Sequence, residues 1–128
     1  MKKIELKKLT IELIGSDIVY IRIKDHSSIE EEDIIEAKQH NLKLTRGQAY
    51  AVVIATGDFT DVSQEARSAM ASEKMETNRK ATALIITKFA QKLIGNFYLR
   101  VNKPNVPTKM FSKKEKAMAW AKEILAKN

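Results

Sequence analysis

Residues 49–70 read AYAVVIATGDFTDVSQEARSAM, and the order of residue types in that stretch decides the fold. Tyr50 to Ala55 is an unbroken apolar run, rich in β-branched side chains and too short for a typical helix. It predicts a strand buried on both faces. Gly57, Asp58 and Asp61 then break the run, and a helical pattern begins near Ser63. A buried strand feeding a helix through a polar loop is the half-unit of an α/β sheet, and ligands commonly bind at such strand ends.

Upstream, Ile4-Glu5-Leu6 and Leu9 to Ile14 alternate apolar and polar residues, and Ile18 to Ile23 does so again after the turn residues Gly15-Ser16-Asp17. This predicts an antiparallel hairpin at the start of the sheet. Ser28 and Glu31 have the spacing of a capping box, and Glu30, Glu31, Glu32 and Asp33 put negative charge at the same helix N-terminus. The acidic cluster is therefore read as structural, and the helix is expected to run to about His40. Leu42 to Gly47 then leads into the central strand.

Downstream, Ala66, Ala69, Met70 and Met75 make the apolar stripe of a second helix. A polar stretch from Glu73 to Lys80 separates it from a second buried strand, Ala81 to Ile86. A third helix is expected over about Lys88 to Val101, where Phe89, Leu93, Phe97 and Val101 repeat every fourth residue. Gly95 in its middle marks a close approach or a local break. Asn102 to Pro107 must be irregular, because each proline disfavours helix at the residue before it. Thr108 to Phe111 predicts a short last strand. Ser112 and Glu115 suggest a second capping box, opening a terminal helix with Ala117, Trp120, Ala121, Ile124 and Leu125 on one face. The order is ββαβαβαβα, a mixed sheet with about four helices in a single α/β domain spanning 1–128.

With 128 residues the chain can bury a core without staples. It has no cysteine, which excludes disulfides, thiol catalysis and thiolate metal sites. His26 and His40 form no ligand pair, so no metal and no cofactor are expected. No apolar run is long enough to span a bilayer, and MKKIELKK lacks the apolar core of a signal peptide. A cytoplasmic location follows as the expectation. The net charge of +7 is uneven: residues 1–73 hold 10 basic and 13 acidic side chains, residues 74–128 hold 13 and 3. Without an RNA-binding signature or interleaved exposed aromatics, this is read as lysines on solvated helix faces, and nucleic acid is not expected as a partner.

Chemistry concentrates in the loop from Thr56 to Ser63, where hydroxyls and carboxylates precede a helix N-terminus suited to anions. Asp58 and Asp61, with Thr87-Lys88 at the end of the next buried strand, suggest phosphoaspartate chemistry. That reading fails because the opening hairpin supplies no second acidic pair to hold magnesium. Asp61 or Ser63 as a helix N-cap is the plainer role. No phosphate-binding glycine loop, dinucleotide fingerprint or nucleophile elbow occurs, so no enzyme is expected. In the segment from Leu93 to Thr108, Asn96, Arg100, Asn102 and Lys103 are candidate contacts for an anion or a partner. Tyr98 and Leu99 are expected to be partly exposed beside Gly95, and the plain role of Asn102 is to end the helix.

The hairpin followed by alternating helices and strands resembles the STAS domain, the fold of bacterial anti-sigma-factor antagonists of the SpoIIAA type, with VVIATGDFTDVSQEAR standing at that family's strand, Asp-Ser pair and helix. RSAMASEK and LIGNFYLRVNKPNVPTKMF also look like an uncharacterised bacterial STAS/SEC14-like group. The resemblance implies a non-enzymatic regulatory or protein-interaction module, with Ser63 as the phosphoacceptor at the start of the second helix. Here Val62 separates Asp61 from Ser63. Asp58, Asp61, Arg67 and Lys88 join the later segment as ligand or partner contacts. The alternative implied is a domain that binds a small ligand or lipid headgroup. A protein partner is expected, an anionic lipid or small anion is the second option, and a homodimer a third.

Overall fold

The computed structural model describes residues 2–72 and 78–127. Eight strands and four helices follow in order: β1 (Lys3–Glu5), β2 (Leu9–Ile14), β3 (Ile18–Ile23), β4 (Ser28–Ile29), α1 (Glu31–Leu44), β5 (Tyr50–Thr56), β6 (Asp61–Val62), α2 (Gln64–Ala71), β7 (Arg79–Ile85), α3 (Phe89–Phe97), β8 (Thr108–Phe111) and α4 (Lys114–Ala126). A π-helical turn, Tyr98–Asn102, extends α3. Six strands form one mixed sheet in the order β1-β2-β3-β5-β7-β8. β1 to β3 pair antiparallel, and β3, β5, β7 and β8 pair parallel.

The apolar run lies inside this sheet as its composition requires. Successive strand side chains point to opposite faces, so Val52 and Ile54 join one core while Ala51 and Val53 join another. The first core is built from Leu9, Ile21, Ile23 and Leu84 with α1, α2 and Tyr98. The second packs Ala81 and Ala83 against Ala117 and Ala121 of α4. Small side chains on both sides of that contact let α4 sit close, and all four are fully excluded from water. Full burial of each central valine is worth roughly 1.5–3 kcal/mol, which holds β5 at the middle of the sheet.

Several local expectations are corrected. Ser28 does not cap α1. Ser28–Ile29 pairs in parallel with Asp61–Val62 as a two-residue ladder, and Ile29 is buried, so the helix starts later, with Glu30 as N-cap. Asp33 accepts the Glu30 N–H at 2.8 Å and an ion pair from Lys8 at 2.8 Å. The helix passes His40 and reaches Leu44 because Asn41 is buried and the Thr45 hydroxyl closes the end on the Asn41 carbonyl at 2.7 Å. The second capping box is not formed either: Lys113, not Ser112, is the N-cap of α4, without a side-chain cap bond. β7 begins at Arg79, earlier than the polar stretch suggested. Met75 and the side chains of Phe89, Ala90 and Phe97 lie outside the described residues.

α2 has only eight residues, and its carbonyl end is held from outside. Lys38, buried in α1, donates to the Ala69 and Ser72 carbonyls at 2.6 and 2.7 Å, and Arg79 donates to the Met70 carbonyl at 2.7 Å. Two cations at a helix C-terminus complement its dipole.

Candidate functional site

Between the sheet and the three helices α1, α2 and α3 lies a cavity of about 100 Å³. Its floor is aliphatic: Ile21, Ile23, Ile54 and Leu84 rise from the sheet. Its roof includes two residues with little or no side chain, Ala37 in α1 and Gly95 in α3. A Cβ on Gly95 would lie 2.5 Å from Met110 Sδ and 2.8 Å from Ile86 Cδ1, so α3 is seated directly on those two side chains.

The wall facing the cavity is almost wholly apolar, but polar residues border one end. Thr56, Thr60, Asp61, Arg67 and Gln91 line it there. Asp61 and Ile94 are exposed and form its rim. Gln91 donates from Nε2 to the Gly57 carbonyl at 2.7 Å, and Arg67 donates from Nη1 to the Val62 carbonyl at 2.7 Å. Thr56 Oγ1 and Gln91 Oε1 are buried and have no hydrogen-bond partner among the described residues. Buried polar atoms without partners are costly, and a functional role is one of the few explanations for them.

The turn at this end is tightly built. A Cβ on Gly57 would come within 2.7 Å of both the Asp25 nitrogen and the Ile23 carbonyl oxygen, so only glycine fits. The Asp58 N–H bonds Asp25 Oδ1 at 2.8 Å, and the His26 N–H bonds the Asp58 carbonyl at 2.8 Å. His26 and Phe59 both hold left-handed backbone, with φ of 63° and 56°. Their rings stack with centroids 5.3 Å apart. Neither conformation is easy for a side chain with a Cβ.

The sequence candidates divide between this site and the surface. Asp61 and Arg67 come together at the cavity, whereas Asp58 stays exposed in the turn above it. Ser63 is the N-cap of α2 and accepts the Ala66 N–H at 3.0 Å. Lys88 is the exposed N-cap residue of α3. Asn96, Arg100 and Lys103 are exposed, and Asn102 reaches Ser68 Oγ at 3.5 Å. Tyr98 is buried at 4 % exposure, against expectation, and lines the cavity; Leu93 and Val101 instead face out at 56 % and 55 %. The inward line of the helix is Gln91, Ile94, Gly95 and Tyr98, a regular helical spacing that passes unnoticed because its first member is polar and its third has no side chain. Among the described residues, no group of three acidic, histidine or cysteine side chains could hold a metal, and no helix is long and apolar enough to cross a membrane.

A family model described as a domain of unknown function, DUF7793, matches residues 12–125. Among solved structures the chain is similar to an uncharacterised protein of the DUF3478 family with a SpoIIAA-like fold from Shewanella loihica PV-4. The two share 18 % identity and a TM-score of 0.55, over 88 % of this chain and 91 % of that one. That likeness speaks for the fold, which is SpoIIAA-like here as well. No curated protein matches.

Proposed function

The chain belongs to the DUF7793 family, and on that footing we propose that it is a non-catalytic binding domain for a small amphiphile. An apolar ring or short alkyl chain would occupy the cavity, and its polar end would meet Thr56, Gln91 and Arg67. The observation that carries this is an aliphatic cavity bordered at one end by Thr56 and Gln91, whose unpartnered oxygens Thr56 Oγ1 and Gln91 Oε1 are buried just behind the wall. Ligand sites are mostly apolar with a few convergent polar groups. A cavity of about 150 Å³ accommodates benzene, so the resting space of about 100 Å³ takes a small apolar group outright and a longer alkyl chain once α3 gives way. Arg67 at the polar end favours an anionic head such as a carboxylate.

Octanoate is a suitable probe. We expect it to raise the melting temperature in proportion to the logarithm of its concentration. Ala37→Leu, which fills the space, should abolish that rise while stabilising the free protein. No rise with octanoate, or a rise that survives Ala37→Leu, would defeat the reading.

Regulation at Ser63 is a second reading. The half-buried hydroxyl caps α2, a place where a phosphate would sit favourably on the helix dipole, and Gln64, Glu65 and Ser68 present an exposed polar face beside it. Mass spectrometry of the protein isolated from its own cells tests this directly: phosphate on Ser63 would support a regulatory interaction module, and an unmodified Ser63 under all growth conditions would remove it.

A further inference from the structure

The large apolar side chains most exposed among the described residues are Phe59 at 83 %, Leu93 at 56 %, Val101 at 55 % and Ile94 at 38 %. Single exposed apolar residues are ordinary. These four, however, belong to only two places, the turn after β5 and the α3 segment with its π-helical extension, and the Gln91–Gly57 hydrogen bond ties those places together. Phe59 is held outward by a left-handed backbone and by the stack on His26. Backbone strain that keeps a phenyl ring in water serves the isolated domain poorly, and such strain gathers at functional sites.

Along α3 the charge is one-sided, whereas the neighbouring Phe59 turn carries the exposed carboxylates of Asp25, Asp58 and Asp61. Residues 77–114 contain nine lysines and arginines and no aspartate or glutamate. Lys88, Lys92, Arg100 and Lys103 are exposed along α3 and its extension. Protruding apolar side chains flanked by cations match the boundary between anionic headgroups and acyl chains, where the rings insert and the cations meet the headgroups. The exposed cavity rim at Ile94 belongs to the same helix.

From this we propose that the outer side of α3, next to the Phe59 turn, docks on an anionic lipid bilayer, with the cations of α3 meeting the headgroups and Leu93 and Phe59 entering the interface. This goes beyond the cavity reading and does not depend on it: an Ala37→Leu protein that has lost octanoate binding keeps its membrane affinity.

Co-sedimentation of the full chain with vesicles tests the surface. We expect binding to mixed phosphatidylserine–phosphatidylcholine vesicles, little to phosphatidylcholine alone, and a steep loss with salt. Phe59→Asn, which suits the left-handed backbone, should lower partitioning about tenfold, and Leu93→Gln should act in the same direction independently of the turn. Each lysine removed from the surface is worth about fivefold, so Lys88→Glu with Lys92→Glu should reduce binding by more than tenfold. Lys116→Glu with Lys122→Glu, on α4 across the sheet, should leave it nearly unchanged. No partition into the mixed vesicles, as expected if the ridge receives an acidic protein instead, would overturn the proposal. So would an equal loss in the α4 variant, or full binding by both the Phe59 and Leu93 variants.

Discussion

Gln91 in α3 and Gly57 in the turn after β5 are joined side chain to backbone, with Gln91 Nε2 2.7 Å from the Gly57 carbonyl oxygen. The bond links the third roof helix to the end of the central strand and leaves the other amide atom, Oε1, buried without a partner at the polar end of the cavity. One side chain therefore both ties α3 to the turn and keeps an unpartnered acceptor buried beside the site.

Replacing Gln91 by leucine separates these roles. The lost hydrogen bond should cost about 1 kcal/mol of stability. Octanoate should bind more weakly, while toluene, which has no polar end, should bind as well as before. Thermal unfolding with each probe reads both effects; equal weakening of the two probes would show that Gln91 acts only on the shape of the roof.

Gly57→Ala should be costly for so small a change. The added methyl meets backbone on two sides, the Asp25 nitrogen and the Ile23 carbonyl oxygen, and backbone gives way less readily than a side-chain tip. Overpacking of this kind typically costs about 2 kcal/mol, measurable as a lower urea midpoint at unchanged slope.

Lys38→Met tests the support of α2. It removes the charged donor from the carbonyls of Ala69 and Ser72. Hydrogen bonds to a charged group contribute about 2 kcal/mol, and that is the expected loss. Hydrogen exchange should show α2 opening ahead of the sheet.

Asp33 gives the molecule an acid-sensitive joint. Burial would push its carboxyl up, but the hydrogen bonds from Lys8 and the Glu30 N–H outweigh that and hold it below the usual carboxylate range. A group whose folded value is depressed contributes stability above its unfolded value, near 3.9. That contribution is lost as pH falls through the folded value. Asp33→Asn should therefore be less stable than the wild type by about 1 kcal/mol at neutral pH, with the two stabilities converging below about pH 4. A constant difference across this range in denaturant titrations would show that the carboxylate charge contributes nothing.

The sheet was legible because β5 and β7 declare themselves through apolar runs, and β2 and β3 through approximate alternation around a turn. Helix starts were less so. Ser28 and Ser112 both have capping spacing, yet Ser28 is drawn into a ladder with Asp61 and Ser112 lies one residue too early. Such pairings depend on segments distant in the chain and leave no local mark. The outward turn of Val101 has the same kind of cause, since the π-helical turn Tyr98–Asn102 changes the facing of its residues, while Leu93 faces out because Gln91, Gly95 and Tyr98 take the inner side. The cavity itself could not be read from the residues in order. Its lining comes from the sheet and from three helices far apart in sequence, with Ala37, Gln91 and Gly95 meeting at one space only once α1 and α3 lie over the sheet.

The two-residue ladder between Ser28–Ile29 and Asp61–Val62 couples the starts of α1 and α2, while Lys38 couples the body of α1 to the end of α2. Fastened at front and back, the pair should lift as one plate, while α3 with its π-helical extension is tied by Gln91 to the β5 turn and by Asn102 to Ser68 of α2. A guest too large for the resting space would therefore gain entry by swinging α3 outward, and crosslinking α1 to α2 would leave uptake untouched.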